Sequence, residues 1–231
     1  MKKETAKAWE VAYERIKGLI LGMEFKPGDI VSENRMAQRL GISRTPVREA
    51  LKRLEQEGLI ISSNRRKRVY VLTVQEIEEI FDLKKVLEAS IARWAAERAS
   101  EEDLGKLRGI FDSMERIVEA KPEESEALEG WKHRWLEEDR KYHEQLFAMA
   151  GNRRAAQIVR SLNTYWHRLR LGIVAIEGRI EVSEAEHRKI TEAVVSRDAE
   201  AAEKAAATHL ENLKSMLVSI MKVFHYPQRP E

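Results

Sequence analysis

Residues 32–54, SENRMAQRLGISRTPVREALKRL, constrain the chain more than any other stretch. They read as two short helices joined by a tight turn at Gly41. Ser32 stands where a first helix would be capped, and Met36, Ala37 and Leu40 form its inner edge. Ser43 stands at the cap of the second, and Pro46 falls in its first turn, where a missing N–H costs nothing. Val47, Ala50, Leu51 and Leu54 recur at helical spacing and face inward. Thr45, Arg48 and Lys52 then share the outward face, with Arg44 at the helix start. A helix presenting arginines and small hydroxyls near its N-terminus suits the DNA major groove, where Arg can pair with both acceptors of guanine.

The charge distribution agrees. Net charge is only +2, yet residues 1–73 hold 16 Lys/Arg against 9 Asp/Glu and the remainder 25 against 30. A basic first third beside an acidic rest points to a polyanion-binding module joined to something else. With no cysteine, disulfides and thiolate metal sites are excluded. No apolar run approaches the ~18 residues of a membrane span, and the N-terminal residues lack a signal peptide's apolar core. A cytoplasmic protein without membrane contact is expected.

After the second helix, LIISSNRRKRVYVLT reads as two strands, 59–62 and 68–72, around a basic tip. Arg65, Arg66, Lys67 and Arg68 crowd that tip, and like charges so close favour a nearby anion, the DNA backbone. The stretch GISRTPVREALKRLEQEGLI resembles the winged helix-turn-helix signature of GntR-type bacterial transcription regulators. That resemblance implies a winged DNA-binding domain over 1–73. Its expected DNA contacts are Ser43, Arg44, Thr45, Arg48, Lys52, Arg66, Lys67 and Arg68. The sequence departs from the pattern at Arg68 and Asn34, where relatives often carry Gly and Arg.

Beyond residue 73 the pattern is helical. Thr73 and Glu76 form a capping box, Ser183 and Glu186 suggest another, and Asp198 sits where a last helix would be capped. Six amphipathic segments with short connections predict an antiparallel six-helix bundle over 74–231. The fold class expected is therefore mainly α, with a small β-hairpin wing. Within the bundle, Asp139 and His143 lie one helical turn apart, on one face. His187 and His209 are symmetric about residue 198, so two antiparallel helices folded there bring them level. Three imidazoles and a carboxylate converging in a core suit a divalent transition metal such as Zn, Ni, Mn or Fe.

This half resembles the FadR C-terminal (FCD) domain of GntR-type regulators, in its shorter, VanR-like six-helix branch. Metal-binding members carry an Asp-x-x-x-His pair and two further His, which Asp139, His143, His187 and His209 match. Relatives commonly place an effector-binding Arg where Lys84 stands on the apolar stripe of the first bundle helix; Arg168 is a lesser candidate. The resemblance implies a regulator, expected to be a repressor and a homodimer on a palindromic operator. Its affinity for double-stranded DNA would be set by a small organic acid at the metal. A metal sensor needing no acid is the alternative, and a mononuclear metal hydrolase fused to a DNA-binding module a more distant one. No motif assigns a general base beside the metal, so no catalytic residue is expected.

Overall fold

The computed structural model describes residues 2–22, 24–63, 66–174 and 176–223, with the side chains at 2–7, 21, 63, 125–126 and 164–174 outside that description. Among the described residues there are nine helices and one two-stranded sheet, and no helix is long and apolar enough to cross a membrane.

The first unit packs α1 (Lys2–Leu21) against α2 (Glu33–Leu40) and α3 (Arg44–Gln56). Its core joins Ala12, Ile16 and Ile20 of α1 to Val47, Leu51 and Leu54 of α3. The spacing that put those α3 residues inside leaves Arg44, Thr45, Arg48 and Lys52 exposed. Gly41 ends α2 at φ 67°, a left-handed conformation that Gly adopts without a Cβ clash, and its N–H closes the helix on Ala37 and Gln38 carbonyls. Ser32 and Ser43 hold the extended backbone of N-caps, but neither side chain bonds its helix.

The wing is β1 (Ile60–Ser63) antiparallel to β2 (Arg66–Val69), with Ile60 opposite Val69. The second strand thus ends earlier than the pattern through 72 suggested, because Leu72 turns into a separate apolar cluster with α4 and α9. Residues 28–31 extend the sheet on the other edge: Val69 N–H donates to Asp29, and Val31 N–H to Lys67.

The second unit is a bundle of α4 (Val74–Arg98), α5 (Glu101–Glu119), α6 (Ser125–Ala150), α7 (Arg153–Val174), α8 (Arg179–Val195) and α9 (Ala199–Val223). Thr73 and Glu76 close a reciprocal capping box on α4, and Ser100 and Asp103 do the same on α5. Asp198 caps α9 by accepting the Ala201 N–H at 2.9 Å. The box expected at Ser183 and Glu186 does not form. The helix begins a turn earlier at Arg179, where Ile180 is buried in the core, and Glu186 turns instead to His209 and Asn212 on α9.

Candidate metal centre and nucleic-acid interface

Each side chain of the centre is aimed by a helix whose register is fixed by its apolar neighbours. On α6, Trp135, Tyr142 and Leu146 are buried, which turns Asp139 and His143 toward α8 and α9. On α8, Ile190 and Val194 hold His187 inward; on α9, Leu210 and Leu213 hold His209. The turn at 196–198 folds α8 onto α9, and the rings of His187 and His209 lie 4.7 Å apart. The ring of His143 lies 5.3 Å from that of His187 and 6.1 Å from that of His209. One nitrogen from each of the three rings falls within 4.8 Å of the others. Asp139 Oδ1 stands 3.7 Å from His143 Nε2 and 3.6 Å from His187 Nε2. Ligand atoms around a tetrahedral ion at about 2.0–2.1 Å are roughly 3.3 Å apart, so the set would close on a metal with small adjustments.

The outer partners prepare those nitrogens. Glu186 Oε2 takes the Nδ1–H of His209 at 2.8 Å, which leaves Nε2 with its lone pair for a metal. Asn212 donates to the other Glu186 oxygen at 2.8 Å. Burial alone would raise the Glu186 carboxyl, but the hydrogen bonds from His209 and Asn212 and the nearby charges of His209 and Arg179 together outweigh it and hold the group below its usual range. Glu88 lies 3.6 Å from His143 Nδ1, outside hydrogen-bond distance, and acts on that ring through its charge. Burial pulls the His143 imidazole down to about 4, against the opposing pull of Glu88, so at neutral pH the ring is uncharged and able to ligate. The Tyr142 hydroxyl, whose pKa burial pushes up, bonds the His187 carbonyl at 3.2 Å and Thr191 Oγ1 at 2.9 Å, bracing α8 at the ligand.

Lys84 is not at the rim. It is 3% exposed, and its ammonium donates to Glu88 Oε1 and Asn163 Oδ1, each at 2.5 Å. Burial would raise Glu88, yet the charge and hydrogen bond of Lys84, together with the nearby histidines, hold it below the ordinary 4.5. The side chain of Arg168 lies outside the described residues. A cavity of about 80 Å³ opens beside the histidines, lined among others by Lys84, Asp139, His143, Asn163 and Arg179. Sequence reasoning missed Glu88, Glu186 and Arg179. Glu88 was in principle findable as the carboxylate one turn beyond a lysine on an apolar stripe; nothing local marks Glu186 or Arg179.

The other site is a groove between reading helix and wing, lined by Ser32, Glu33, Arg44, Ser62, Arg66 and Lys67. Arg66 is exposed. Lys67 is bonded to Glu55 of α3, which braces the wing on the reading helix α3, and Arg68 donates to the Gly28 carbonyl at 3.0 Å, which ties the wing to the 28–31 segment at its edge. Arg44 and Arg48 flank Glu33, at 3.6 and 3.2 Å.

An exposed basic reading helix with a braced wing, joined to a helical bundle, defines a DNA-binding transcription regulator. Residues 9–71 match the bacterial regulatory proteins of the gntR family, and residues 79–212 match the FCD domain. The chain belongs to the GntR family, in its FCD-bearing group. It is 29% identical to the HTH-type transcriptional regulator YdhC of Bacillus subtilis, over 89% of this chain and 90% of that one. It is 28% identical to the Uxu operon transcriptional regulator of Escherichia coli, over 90% and 86% of the two chains. In fold it resembles E. coli McbR/YncC, with a TM-score of 0.69 at 17% identity over 92% of this chain and 98% of that one. Lar of Listeria monocytogenes is similar in fold as well, with a TM-score of 0.64 at 17% identity over 92% and 97%.

Proposed function

We propose that the chain is a repressor in which residues 1–73 bind an operator and residues 74–231 hold a divalent metal that receives a small carboxylic acid. The observation that carries this reading is the convergence of His143, His187 and His209 within 4.8 Å beside an open cavity. The donor set is all nitrogen and carboxylate oxygen, which suits Zn, Ni, Mn or Fe. Such an ion supplies positive charge and open coordination positions for a carboxylate. The protein's own part is to keep His143 neutral by burial, to orient the His209 ring through Glu186, and to shape the cavity that the acid enters.

The separation of the apolar clusters supports the division of the chain. One cluster runs from Ala12 to Val69, while those of the bundle begin at Leu72. A homodimer on a palindromic operator follows from the reach of one recognition helix, which covers a single half-site. Leu83 and Val86, 56% and 65% exposed on the outer face of α4, offer apolar area for a second copy. The operator binding proposed here is an activity of the bacterial cytoplasm. Ser43, Arg44, Thr45, Arg48, Lys52 and Arg66 are the proposed DNA contacts, with Lys67 and Arg68 fixing the wing. Lys84 sets the charge balance of the acid pocket by neutralising Glu88.

The test is to select binding sites from a random DNA pool, then titrate the selected site with metal-free and metal-loaded protein, with and without small organic acids. An acid that changes DNA affinity only when metal is present supports the reading. Affinity that follows free metal alone would favour a metal sensor, and no response to either would remove the regulatory role assigned to the bundle.

A further inference from the structure

Resting on the metal-and-acid reading above, we propose that Arg179 is a second anchor for the acid and makes the pocket select acids with two carboxylates over monocarboxylates. Arg179 is 6% exposed at the start of α8 and lines the cavity beside the histidines. A guanidinium carries five N–H donors in a rigid fork. Here Nη2 donates to Glu186 Oε2 at 3.2 Å, while the buried Nε meets no acceptor. Glu186 cannot serve the fork alone, because the same oxygen takes the His209 N–H and the other takes Asn212. A buried cation with most of its fork unused is costly and calls for another acceptor.

The geometry places that acceptor within one small molecule of the metal. Glu186 Oε2 touches both Arg179 Nη2 and His209 Nδ1, so the fork lies within about 6 Å of the His209 ring. Arg179, Ser183 and His187 recur every fourth residue and share one face of α8, and all three are buried. The other buried cation of the cavity, Lys84, is already committed to Glu88 and Asn163. A diacid with one carboxylate at the metal would present its second to the planar fork, which matches a carboxylate through two parallel hydrogen bonds.

The experiment measures acetate, malonate and succinate binding to Ni²⁺-loaded protein by calorimetry, alongside metal stoichiometry, for the wild type, Arg179→Lys and Arg179→Gln. A diacid should bind the wild type at least tenfold tighter than acetate. Arg179→Gln should erase that preference while leaving acetate affinity and nickel content unchanged, and Arg179→Lys, which keeps the buried charge but not the fork, should fall between. If diacid and acetate bind the wild type equally, the second anchor is overturned while the metal-acid reading stands. If both variants lose nickel or weaken acetate and diacid alike, Arg179 only positions Glu186, and the proposal is overturned. If no acid binds the nickel-loaded wild type, this inference falls together with the reading it rests on.

Discussion

Arg48 on the reading helix donates its Nε–H to Glu33 of the preceding helix, 3.2 Å away. Arg44 reaches the same carboxylate at 3.6 Å. A negative charge thus sits between the two arginines proposed above to meet DNA, where it would orient them and oppose phosphates approaching at random. Glu33→Gln should raise affinity for unrelated DNA several-fold and narrow the gap between selected and unrelated sites. Fluorescence anisotropy with both DNAs over a range of salt reads this directly; an unchanged ratio would show that Glu33 has no part in discrimination.

Arg48→Ala should cost about 1–3 kcal/mol of specific binding, the range for one bidentate base contact. Stability should hold, since the side chain is 56% exposed. Wild-type affinity for the selected site would rule out this docking face.

Arg66 and Lys67 should behave differently despite being neighbours. Arg66 is exposed, so its loss should lower affinity for all DNA and reduce the salt slope by about 1. Lys67 is tied to Glu55, so Lys67→Ala should chiefly loosen the wing on α3. Equal effects on the salt slope from the two substitutions would contradict the division.

His187→Ala and His209→Ala should each lower metal content and melting temperature together, because a bound metal ties α6, α8 and α9. Glu186→Ala should weaken metal binding by about 10–100-fold without removing a ligand, the usual effect of losing the carboxylate behind a ligating imidazole. Elemental analysis and competition with a chelator measure both. Full metal retention in the His209 variant would dismiss the centre.

Acid should loosen α1 from the reading helix. Tyr13 and Lys17 on α1 bond Glu57 just beyond α3, at 2.8 and 3.2 Å. Burial would raise the Glu57 carboxyl, but these two bonds together with the charges of Lys17 and Arg53 hold it below 4.5. A carboxyl held low in the folded state stabilises fully above its unfolded value, and that contribution is lost as pH falls through the folded one. Glu57→Gln should therefore melt lower than wild type near neutrality, the difference shrinking below about pH 4.5. A difference that stays constant to pH 3 would contradict this.

What the sequence determined by itself was what depends on short-range periodicity. The apolar spacing 47, 50, 51, 54 exposes Arg44, Arg48 and Lys52 in any context where that helix forms. The Thr73–Glu76 box needs only one turn of backbone. The symmetry of His187 and His209 about 198 follows from a constant rise per residue. The tertiary structure alone decided how buried charges are partnered. Lys84 is bound to Asn163, 79 residues away, as well as to Glu88 on its own helix. Glu186, which reads as half of a capping box, reaches instead to His209, 23 residues on. Arg179 is drawn inside only because α8 begins early enough to bury Ile180. A buried charge takes the best acceptor that packing brings near it, and packing is settled by several helices at once, so no local pattern along the chain can name that partner in advance.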